Sequence, residues 1–427
     1  MLLVMVAFVA LVLLGMPVAF AIGISGALFF AQHLELPFTV PIQLAVTQTQ
    51  NFALLAVPLF ILSGNFMNHA GITERLLRLS TMLTGHMRGG LAQTSVALST
   101  LMGGVSGSCI ADAAMQARIL GPEMLKRGFS KGYAAGVLSF GSLITPIIPP
   151  GIGFILYGTV GQVSIGRLFA GGILPGLMLW IGLAFTVSMT AKQRGFRPER
   201  KGWPTARELG VAALGGSWAI LFPIMLLVGL RFGIFTPSEI GAFAVVYSVA
   251  IGVAAYRELG WAKFNDALEG STVDVGAVMF LIALSGIFGY GIVWDRVPEL
   301  VSNAMLGLTA NRHAVLTLVV AFILVAGCFV DGSVLIIMLT PIFLPIASEL
   351  GFDPVHFGLI FVIAATISNF TPPVGSAMYA VCSILDCPIG DYARESLPFL
   401  VTVSVVAVLM IFFPSVVLFI PDLIFGK

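Results

Sequence analysis

The chain has 427 residues, of which 58% are hydrophobic and 10% are charged, whereas a soluble domain has about 45–50% and about 25%. A water-soluble fold of this length could not solvate such a surface, so the sequence predicts an all-α polytopic membrane protein with the lipid bilayer as its solvent. The net charge of +1 provides no basic face to release counterions from phosphates, which argues against nucleic acid as a partner.

Four apolar runs in chain order reach the length of about 20 residues that crosses a bilayer core. They cover residues 1–31, 209–231, 237–255 and 395–421. The first run lacks a charged segment before it and exceeds the apolar stretch of about 7–15 residues found in a secretory signal. We therefore interpret it as a retained membrane helix.

The longest polar interruption divides the chain into two halves. Residues 191–208 carry several Arg and Lys together with Pro198 and Pro204, and the positive-inside rule places this linker in the cytoplasm. The sequence thus predicts a first repeat over residues 1–190, and a linking helix plus a second repeat over residues 209–427.

Short patterns recur in the two halves in the same order and at a nearly constant spacing, which indicates an internal duplication. The positive-inside rule starts the first repeat inside and the second outside, so the repeats are predicted to be inverted, as in many secondary transporters. The matching pairs are Leu62-Ser63-Gly64 with Leu284-Ser285-Gly286, Gly107-Ser108 with Gly332-Ser333, Pro122 with Pro345, Pro149-Pro150 with Pro372-Pro373, Leu174-Pro175 with Leu397-Pro398, and Pro17 with Pro237.

Each half contains one segment that is predicted to be a re-entrant helical hairpin. Residues 91–125 are divided by a tip of small residues at Gly103–Ser108, and residues 314–348 are divided at Val330–Ser333. The arms on either side are too short to span a bilayer. Unpaired backbone in hydrocarbon costs several kcal/mol per group, so such a tip requires protein, water or an ion around it.

Each half also contains a predicted broken helix, over residues 130–160 and 356–383. Consecutive prolines in these segments remove amide donors and free the carbonyls one turn back. Freed carbonyls, hydroxyls and an amide are hard oxygen ligands for an alkali cation, and half-helix N-termini favour an anionic substrate. Close packing or a simple kink is the alternative for any single motif, but it explains paired tips and breaks poorly.

Several polar side chains interrupt apolar segments near the tips. Asp112 and Asp331 are functional candidates because ionisable groups inside a membrane are costly, and Asp112 serves either as an ion contact or as a capping or pairing group at its tip. Ser63, Asn65, Ser285 and Asp274 either line the cavity or bond across helices. No nucleophile–base pair or metal-binding set is found, so the protein is predicted not to be an enzyme.

The chain resembles the large membrane (M) subunit of a tripartite ATP-independent periplasmic (TRAP) transporter over essentially its whole length. The residues that carry the resemblance are Pro58–Gly64, Gly103–Ser108 followed by Ala111-Asp112, Ile147–Gly151, Phe235–Glu239, Thr340-Pro341 with Pro345, and Asn369–Gly375.

This resemblance implies a sodium-driven importer that works as an elevator in the bacterial inner membrane, with Na⁺ as the coupling ion. It implies a small organic anion as substrate, such as a carboxylate, a sugar acid like sialic acid, or a sulfonate. It also implies two partners, a small four-helix (Q-type) membrane subunit and a soluble periplasmic (P-type) binding protein. Because the chain begins directly with the first M-type helix, the small subunit is expected to be a separate chain.

The family's functional positions carry over to the tips and breaks of this sequence. Ser142 or Thr145 is expected to supply a side-chain oxygen to a first site that otherwise relies on carbonyls. The sodium ligands implied are Ser106, Ser108, Thr145, Pro149 and Gly151 in the first half, and Asp331, Gly332, Ser333, Asn369, Thr371 and Gly375 in the second. The implied substrate path contains Ser63, Asn65, Gly107, Asp112, Pro150, Ser285, Pro372 and Pro373.

The alternative is a stand-alone permease or antiporter for anions, coupled to protons or sodium and independent of a binding protein. In that case Asp112 or Asp331 would carry the proton.

Overall fold

A computed structural model describes residues 1–37, 39–200, 202–309, 311–372 and 375–426. Within these ranges the regular structure is helical, with a 3₁₀ turn at Phe52–Leu55 and a π-helical segment at Ile251–Ala255. The α-helices are α1 (Leu2–Leu13), α2 (Val18–Gln32), α3 (Val40–Thr49), α4 (Ala56–His69), α5 (Ile72–Thr84), α6 (Gly90–Met102), α7 (Cys109–Ile119), α8 (Gly121–Lys126), α9 (Lys131–Ser142), α10 (Ile152–Val160), α11 (Ile165–Gln193), α12 (Ala206–Arg231), α13 (Pro237–Ala250), α14 (Trp261–Trp294), α15 (Val297–Leu308), α16 (Arg312–Ala326), α17 (Gly332–Glu349), α18 (Pro354–Ser368), α19 (Ser376–Leu385), α20 (Ile389–Phe412) and α21 (Pro414–Phe425).

The helices have the length and surface of membrane spans. In the part of the chain that is described, seven helical segments are long and apolar enough to cross a bilayer. Their outward faces are apolar, as at Leu214 and Val228 of α12, which are exposed. The prediction of an all-α polytopic membrane protein is confirmed.

Two of the predicted single spans are wrong, because each is divided into two helices. Residues 1–31 break between α1 and α2, where Gly15 takes a left-handed φ of +83° and Pro17 precedes the first residue of α2. Residues 395–421 break after Phe413, and Pro414 begins α21. Proline favours the start of a helix because it lacks an amide hydrogen, so both breaks occur where the chain can restart.

The first two helices form a short hairpin against the second part of α14. The ammonium group of Met1 lies 2.6 Å from the Asp295 carboxylate, directly after α14. The rings of Phe20, in α2, and Phe280, in α14, are 5.3 Å apart. The polar start of the chain therefore lies at the end of the protein where α14 finishes.

Most ion pairs join loops at one end of the molecule, which we call the basic end. One of these pairs joins Arg194 to Glu395. The positive-inside rule assigns this end to the cytoplasm, and we call the other one the outer end. Met1 and Asp295 lie at the outer end, so the prediction that the first repeat starts inside is wrong. The remaining pairs of the basic end are Arg127–Glu199, Arg127–Glu123, Lys126–Glu123, Arg75–Glu258, Lys131–Asp386 and Arg200–Glu208.

The helices form two groups, which contact each other mainly where α5 packs on α6 and where α14 packs on α17. Helices α1–α5 and α12–α14 pack mainly on one another, and α6–α11 pack with α16–α20. Within the second group, α7 packs against α19 and α17 packs against α10. Each helix that follows a tip therefore packs on the broken helix of the other half, which brings both tips together. The inverted repeats, the domain limits and the movement of one group past the other remain predictions.

Candidate functional site

The first tip connects α6 to α7 over residues 103–108. Gly107 has a left-handed φ of +62°, and a Cβ atom there would lie 2.6 Å from the Pro150 carbonyl oxygen. Only glycine accepts both this conformation and this close approach. Ser108 caps α7, since its hydroxyl accepts a hydrogen bond from the Ala111 amide at 3.4 Å. The first tip is thereby held against the break that follows α9.

Asp112 fastens the first tip from inside the protein. Its side chain is fully buried, and one carboxylate oxygen accepts a hydrogen bond from the Ser106 hydroxyl at 2.8 Å. The other oxygen accepts a hydrogen bond from the Thr145 hydroxyl, in the break, at 2.6 Å. These two hydrogen bonds join the tip to the broken helix.

The second tip connects α16 to α17 and ends at Asp331. One oxygen of Asp331 accepts a hydrogen bond from the Ser333 amide at 2.8 Å, which caps α17. Its other oxygen accepts one from the Ser376 hydroxyl, at the start of α19, at 3.2 Å. Unlike Asp112, Asp331 is only partly buried and lines an open cavity.

Asn369 lies between the two tips. Its side-chain oxygen accepts a hydrogen bond from the Gly332 amide at 2.9 Å, and its backbone oxygen accepts one from the Ala377 amide at 3.1 Å. Its side-chain nitrogen lies 3.7 Å from the Cys109 sulfur, at the start of α7. The Asn369 side chain thus contacts both the second tip and α7, the helix that follows the first tip.

The tips, α4 and α14 surround a cavity of about 510 Å³, which we call the inner cavity. Helices α7, α10 and α17 all begin at this cavity, so the positive ends of three helix dipoles face it. Its polar lining consists of Asn65, Asn68, Ser106, Ser108, Asp274, Asp331, Ser333, Thr366 and Asn369.

The oxygen atoms at this cavity fit an alkali cation. Among the described residues, no group of three or more His, Cys, Asp and Glu side chains is placed to hold a metal ion. The available ligands are therefore hydroxyl, amide and carbonyl oxygens with the Asp274 and Asp331 carboxylates. Backbone carbonyls of broken helices coordinate Na⁺ in secondary transporters.

The structure places the predicted sodium ligands in different environments. Ser106, Ser108, Asp331, Gly332, Ser333 and Asn369 line the inner cavity. Thr145 is fully buried beside Asp112, and the Thr371 hydroxyl donates to the Ile367 carbonyl at 2.9 Å. Pro149, Gly151 and Gly375 are buried in the breaks.

The predicted substrate-path residues also separate. Asn65 and Gly107 line the inner cavity, whereas Asp112 and Ser63 are buried away from it. Ser285 lines another cavity. Pro150 lies behind Gly107, Pro372 is half-buried, and Pro373 falls outside the described residues.

Sequence patterns did not reveal Cys109, Asn68, Thr366 and Ser376. Asn68 and Thr366 are polar positions in apolar helices, so intramembrane polarity was a signal for both. Cys109 and Ser376 directly follow the first tip and the second break, and only the tertiary contacts show that they face Asn369 and Asp331.

The all-helical fold and a polar cavity between interrupted helices define a multi-pass membrane transporter rather than an enzyme. Residues 5–416 match the family model described as the tripartite ATP-independent periplasmic transporter, DctM component. The chain belongs to this family of large TRAP permease subunits, as the sequence predicted, and is thus a multi-pass protein of the bacterial inner membrane.

Curated relatives cover nearly the whole chain. It is 31% identical over 405 residues to the 2,3-diketo-L-gulonate TRAP transporter large permease protein YiaN of Escherichia coli, covering 95% of each chain. It is 32% identical over 420 residues to the sialic acid TRAP transporter large permease protein SiaM of Vibrio cholerae, covering 98% of each.

A third relative, the isethionate TRAP transporter permease protein DctMQ of Oleidesulfovibrio alaskensis, is 32% identical over 96% of this chain and 65% of its own length. Among solved structures, the YdaH transporter of Alcanivorax borkumensis superposes with a TM-score of 0.66 at 14% identity, covering 87% of each chain. The latter similarity supports the transporter fold alone.

Proposed function

We propose that this chain is the permease of a sodium-coupled importer for a small organic anion that a periplasmic binding protein delivers. The single observation that carries the proposal is the inner cavity, where two hairpin tips, two broken helices and three helix N-termini meet. Such convergence costs unpaired backbone groups at membrane depth, and it is stable where an ion and a polar ligand satisfy those groups.

Sodium coupling is supported by the chemistry of the second tip. The Asp331 carboxylate is half-buried, so it supplies negative charge to the cavity without a basic partner among the described lining residues. Ser333 and Asn369 add hard oxygens beside it. A small cation bound there would offset the cost of the half-buried Asp331 charge. It would also lower the negative charge of the cavity between the two tips, so that an anion could bind there.

An anionic substrate is supported by the helix N-termini. Their amides and dipoles favour negative charge by about 0.3–1 kcal/mol each at exposed sites. Among the described residues that line the inner cavity there is no Arg or Lys, so recognition would use neutral donors and the bound cation. The relatives named for diketogulonate, sialic acid and isethionate suggest the class of organic acid.

The partners follow from the family. We propose a small Q-type membrane subunit and a soluble P-type protein as partners of this chain. The DctMQ relative supports the first, since this chain covers only 65% of its length and its name joins an M and a Q component.

The mechanism we propose is an elevator movement along α14. This helix has 34 residues, belongs to the first group and contacts the second group through α17. Sliding the group that carries both tips along it would move the bound ion and anion across the membrane together.

The test is uptake into proteoliposomes that contain this chain and a small membrane subunit from the same organism. An inward sodium gradient is imposed with and without the binding protein, and radiolabelled sialic acid, 2,3-diketogulonate and isethionate are offered. Uptake of one acid that requires both sodium and binding protein supports the proposal. Uptake that a proton gradient drives without the soluble protein contradicts it and establishes the stand-alone permease.

Matched variants connect this result to the site. Ser333→Ala and Asn369→Ala should reduce sodium-dependent uptake at least tenfold. Ser217→Ala is the control, because the Ser217 hydroxyl is exposed and donates to the Leu214 carbonyl of its own helix. Normal sodium dependence in Ser333→Ala and Asn369→Ala would show that the second tip is not part of the ion site.

A further inference from the structure

A second cavity of about 400 Å³ follows the inner cavity toward the outer end, and we call it the outer cavity. Helices α10, α14 and α17 line both cavities in succession. Residues 274–281 of α14 face the inner cavity, and residues 282–293 of the same helix face the outer one. The two cavities are therefore consecutive compartments along one interface between the two groups of helices.

Thr159 supplies an unsatisfied polar group to the outer cavity. Its side chain is 5% exposed, and its hydroxyl has no hydrogen-bond partner among the described residues. A threonine within a helix commonly donates to the carbonyl one turn back, as Thr340 does to Ile336 at 2.5 Å in the neighbouring α17. A buried hydroxyl without a partner costs about 1–3 kcal/mol, so this position points to a ligand or water in the cavity.

Two further donors line the outer cavity. Gln48 and Tyr290 both line it, and neither the Gln48 amide nor the Tyr290 hydroxyl forms a hydrogen bond with another residue in the described ranges. Gly286 allows Gln48 to cross α14 closely, because a Cβ atom at this glycine would overlap the Gln48 side chain. By contrast, the Ser285 hydroxyl donates to the Ile282 carbonyl at 2.7 Å and is already occupied.

The charge of the outer cavity differs from that of the inner one. Within the described lining, no Asp, Glu, Lys or Arg faces the outer cavity, whereas Asp274 and Asp331 face the inner cavity. Carbonyls at the end of α10 add negative potential, and Gln162 offsets part of it by donating to the Thr159 carbonyl at 2.7 Å. Neutral donors can form hydrogen bonds with the hydroxyl and carboxylate oxygens of an organic acid. Without a fixed charge they would bind it weakly and reversibly.

We propose that the outer cavity is a second binding site for the transported organic acid, in which Thr159, Gln48 and Tyr290 donate hydrogen bonds to its oxygens. This inference rests on the proposed function and adds a second binding site on the substrate path between the outer end and the tips. Thr159 belongs to the group that carries the tips, whereas Gln48 and Tyr290 belong to the group around α14. A relative movement of the two groups separates these donors and releases the acid.

The first experiment does not depend on uptake. In the full chain, Thr159→Cys is treated with the anionic reagent 2-sulfonatoethyl methanethiosulfonate and with its cationic trimethylammonioethyl counterpart, and each rate is divided by that for free 2-mercaptoethanol. Wild-type protein measures the background of its four cysteines. Thr340→Cys is the matched control, since Thr340 is fully buried one helix away and should not react.

We expect the normalised anionic rate to equal or exceed the cationic rate, and we expect millimolar sialic acid or isethionate to slow the labelling of Thr159→Cys at least threefold. A cationic rate tenfold higher would overturn the assignment to an organic acid. Labelling that neither acid slows would show that the cavity contains water only, and would likewise overturn the proposal.

The second experiment measures uptake kinetics for whichever acid the reconstituted transporter takes up. Thr159→Val, Gln48→Leu and Tyr290→Phe should each raise KM about three- to tenfold, as expected for one lost hydrogen bond, with a smaller change in kcat. Thr317→Val is the control, because the exposed Thr317 hydroxyl donates within its own helix. Unchanged KM in all three variants would refute the site while leaving the proposed function intact. Failure of uptake in the wild type refutes the proposed function, and the labelling result then decides the outer cavity separately.

Discussion

The two hairpin tips occupy matching places in the two halves, yet their carboxylates lie in different environments. Asp112 is one turn inside α7, fully buried, with both oxygens accepting hydrogen bonds from the Ser106 and Thr145 hydroxyls. Asp331 is at the very end of the second tip, half-buried and facing the inner cavity. Carboxylates at two corresponding tips can therefore have different roles, one stabilising the tip and the other supplying negative charge to the cavity.

The physical basis of this difference is access to the cavity. A buried carboxylate is costly unless hydrogen bonds compensate it, so Asp112 is useful only while its two donors remain in place. Asp331 also accepts two hydrogen bonds, but its exposed part can contact a mobile ion. We expect substitutions at the first tip to affect stability, and substitutions at the second to affect ion dependence.

The largest effect is expected for Asp112→Ala, which removes the carboxylate that joins the Ser106 and Thr145 hydroxyls and leaves each with only a longer hydrogen bond to a backbone carbonyl. The free energy of unfolding should fall by about 2–4 kcal/mol, and uptake should be lost because the tip separates from the break. Thermal unfolding in detergent, followed by intrinsic fluorescence, measures the first quantity. A variant as stable as the wild type would show that Asp112 does not fasten the tip.

The next largest effect is expected at the tip glycines. In Gly332→Ala the new Cβ would overlap the Ala365 carbonyl, and in Gly107→Ala it would lie 2.6 Å from the Pro150 carbonyl. Both variants should lose most sodium-dependent uptake in proteoliposomes, because backbone atoms cannot yield as a flexible side chain can.

The matched control for Gly107→Ala is Gly128→Ala. Gly128 has a similar left-handed φ of +85° but open space around it, so this variant should lose only about 1 kcal/mol of stability and retain uptake. Equal loss of uptake in both variants would show that the effect comes from the left-handed backbone conformation, and not from the close contact between the first tip and the break.

A smaller effect on stability, with a clear effect on ion dependence, is expected for Asp331→Asn. The asparagine can still cap α17 through its side-chain oxygen, so the unfolding midpoint should change little. The sodium concentration for half-maximal uptake should rise at least tenfold, because the negative charge in the cavity is gone. Glu299→Gln, an equal change of charge at an exposed position of the outer end, should leave it unchanged; an unaltered sodium requirement in Asp331→Asn would contradict a role for this charge.

The smallest effect is expected for Thr371→Val. The Thr371 hydroxyl, in the break, donates to the Ile367 carbonyl at the end of α18, so its loss should cost no more than about 0.5–1.5 kcal/mol and change the sodium requirement less than twofold. Sodium titration of uptake distinguishes this outcome from a ligand role, which would give a change comparable with Asp331→Asn.

Composition and motif order were sufficient for the class, the family and the approximate location of the site. The small fraction of charged residues indicates that the bilayer is the solvent, since too few side chains are polar enough for water to solvate the surface. Intramembrane Asp and Ser residues marked both tips for the same reason, because polar groups at that depth are retained only with partners. Proline and glycine likewise marked the interruptions, since each restricts or permits a particular backbone conformation.

Hydropathy failed at the first and last apolar runs. It sums transfer free energies over a window, and a single turn at Gly15 or Pro414 hardly changes that sum. The interruption depends on backbone conformation, which an average over side chains does not contain.

The sequence by itself determined a helical membrane transporter of the DctM family, with oxygen-rich tips and breaks in each half. Only the tertiary structure decided that Asp112 is enclosed by hydroxyls, that Asp331 faces the inner cavity, and that Asn369 contacts both tips' surroundings. The reason is physical: residue types and local spacing set helix propensity and solvent, whereas burial and hydrogen-bond partners depend on helices far apart in the chain. Asn369 and Cys109 are 260 positions apart, and no local pattern records that they meet.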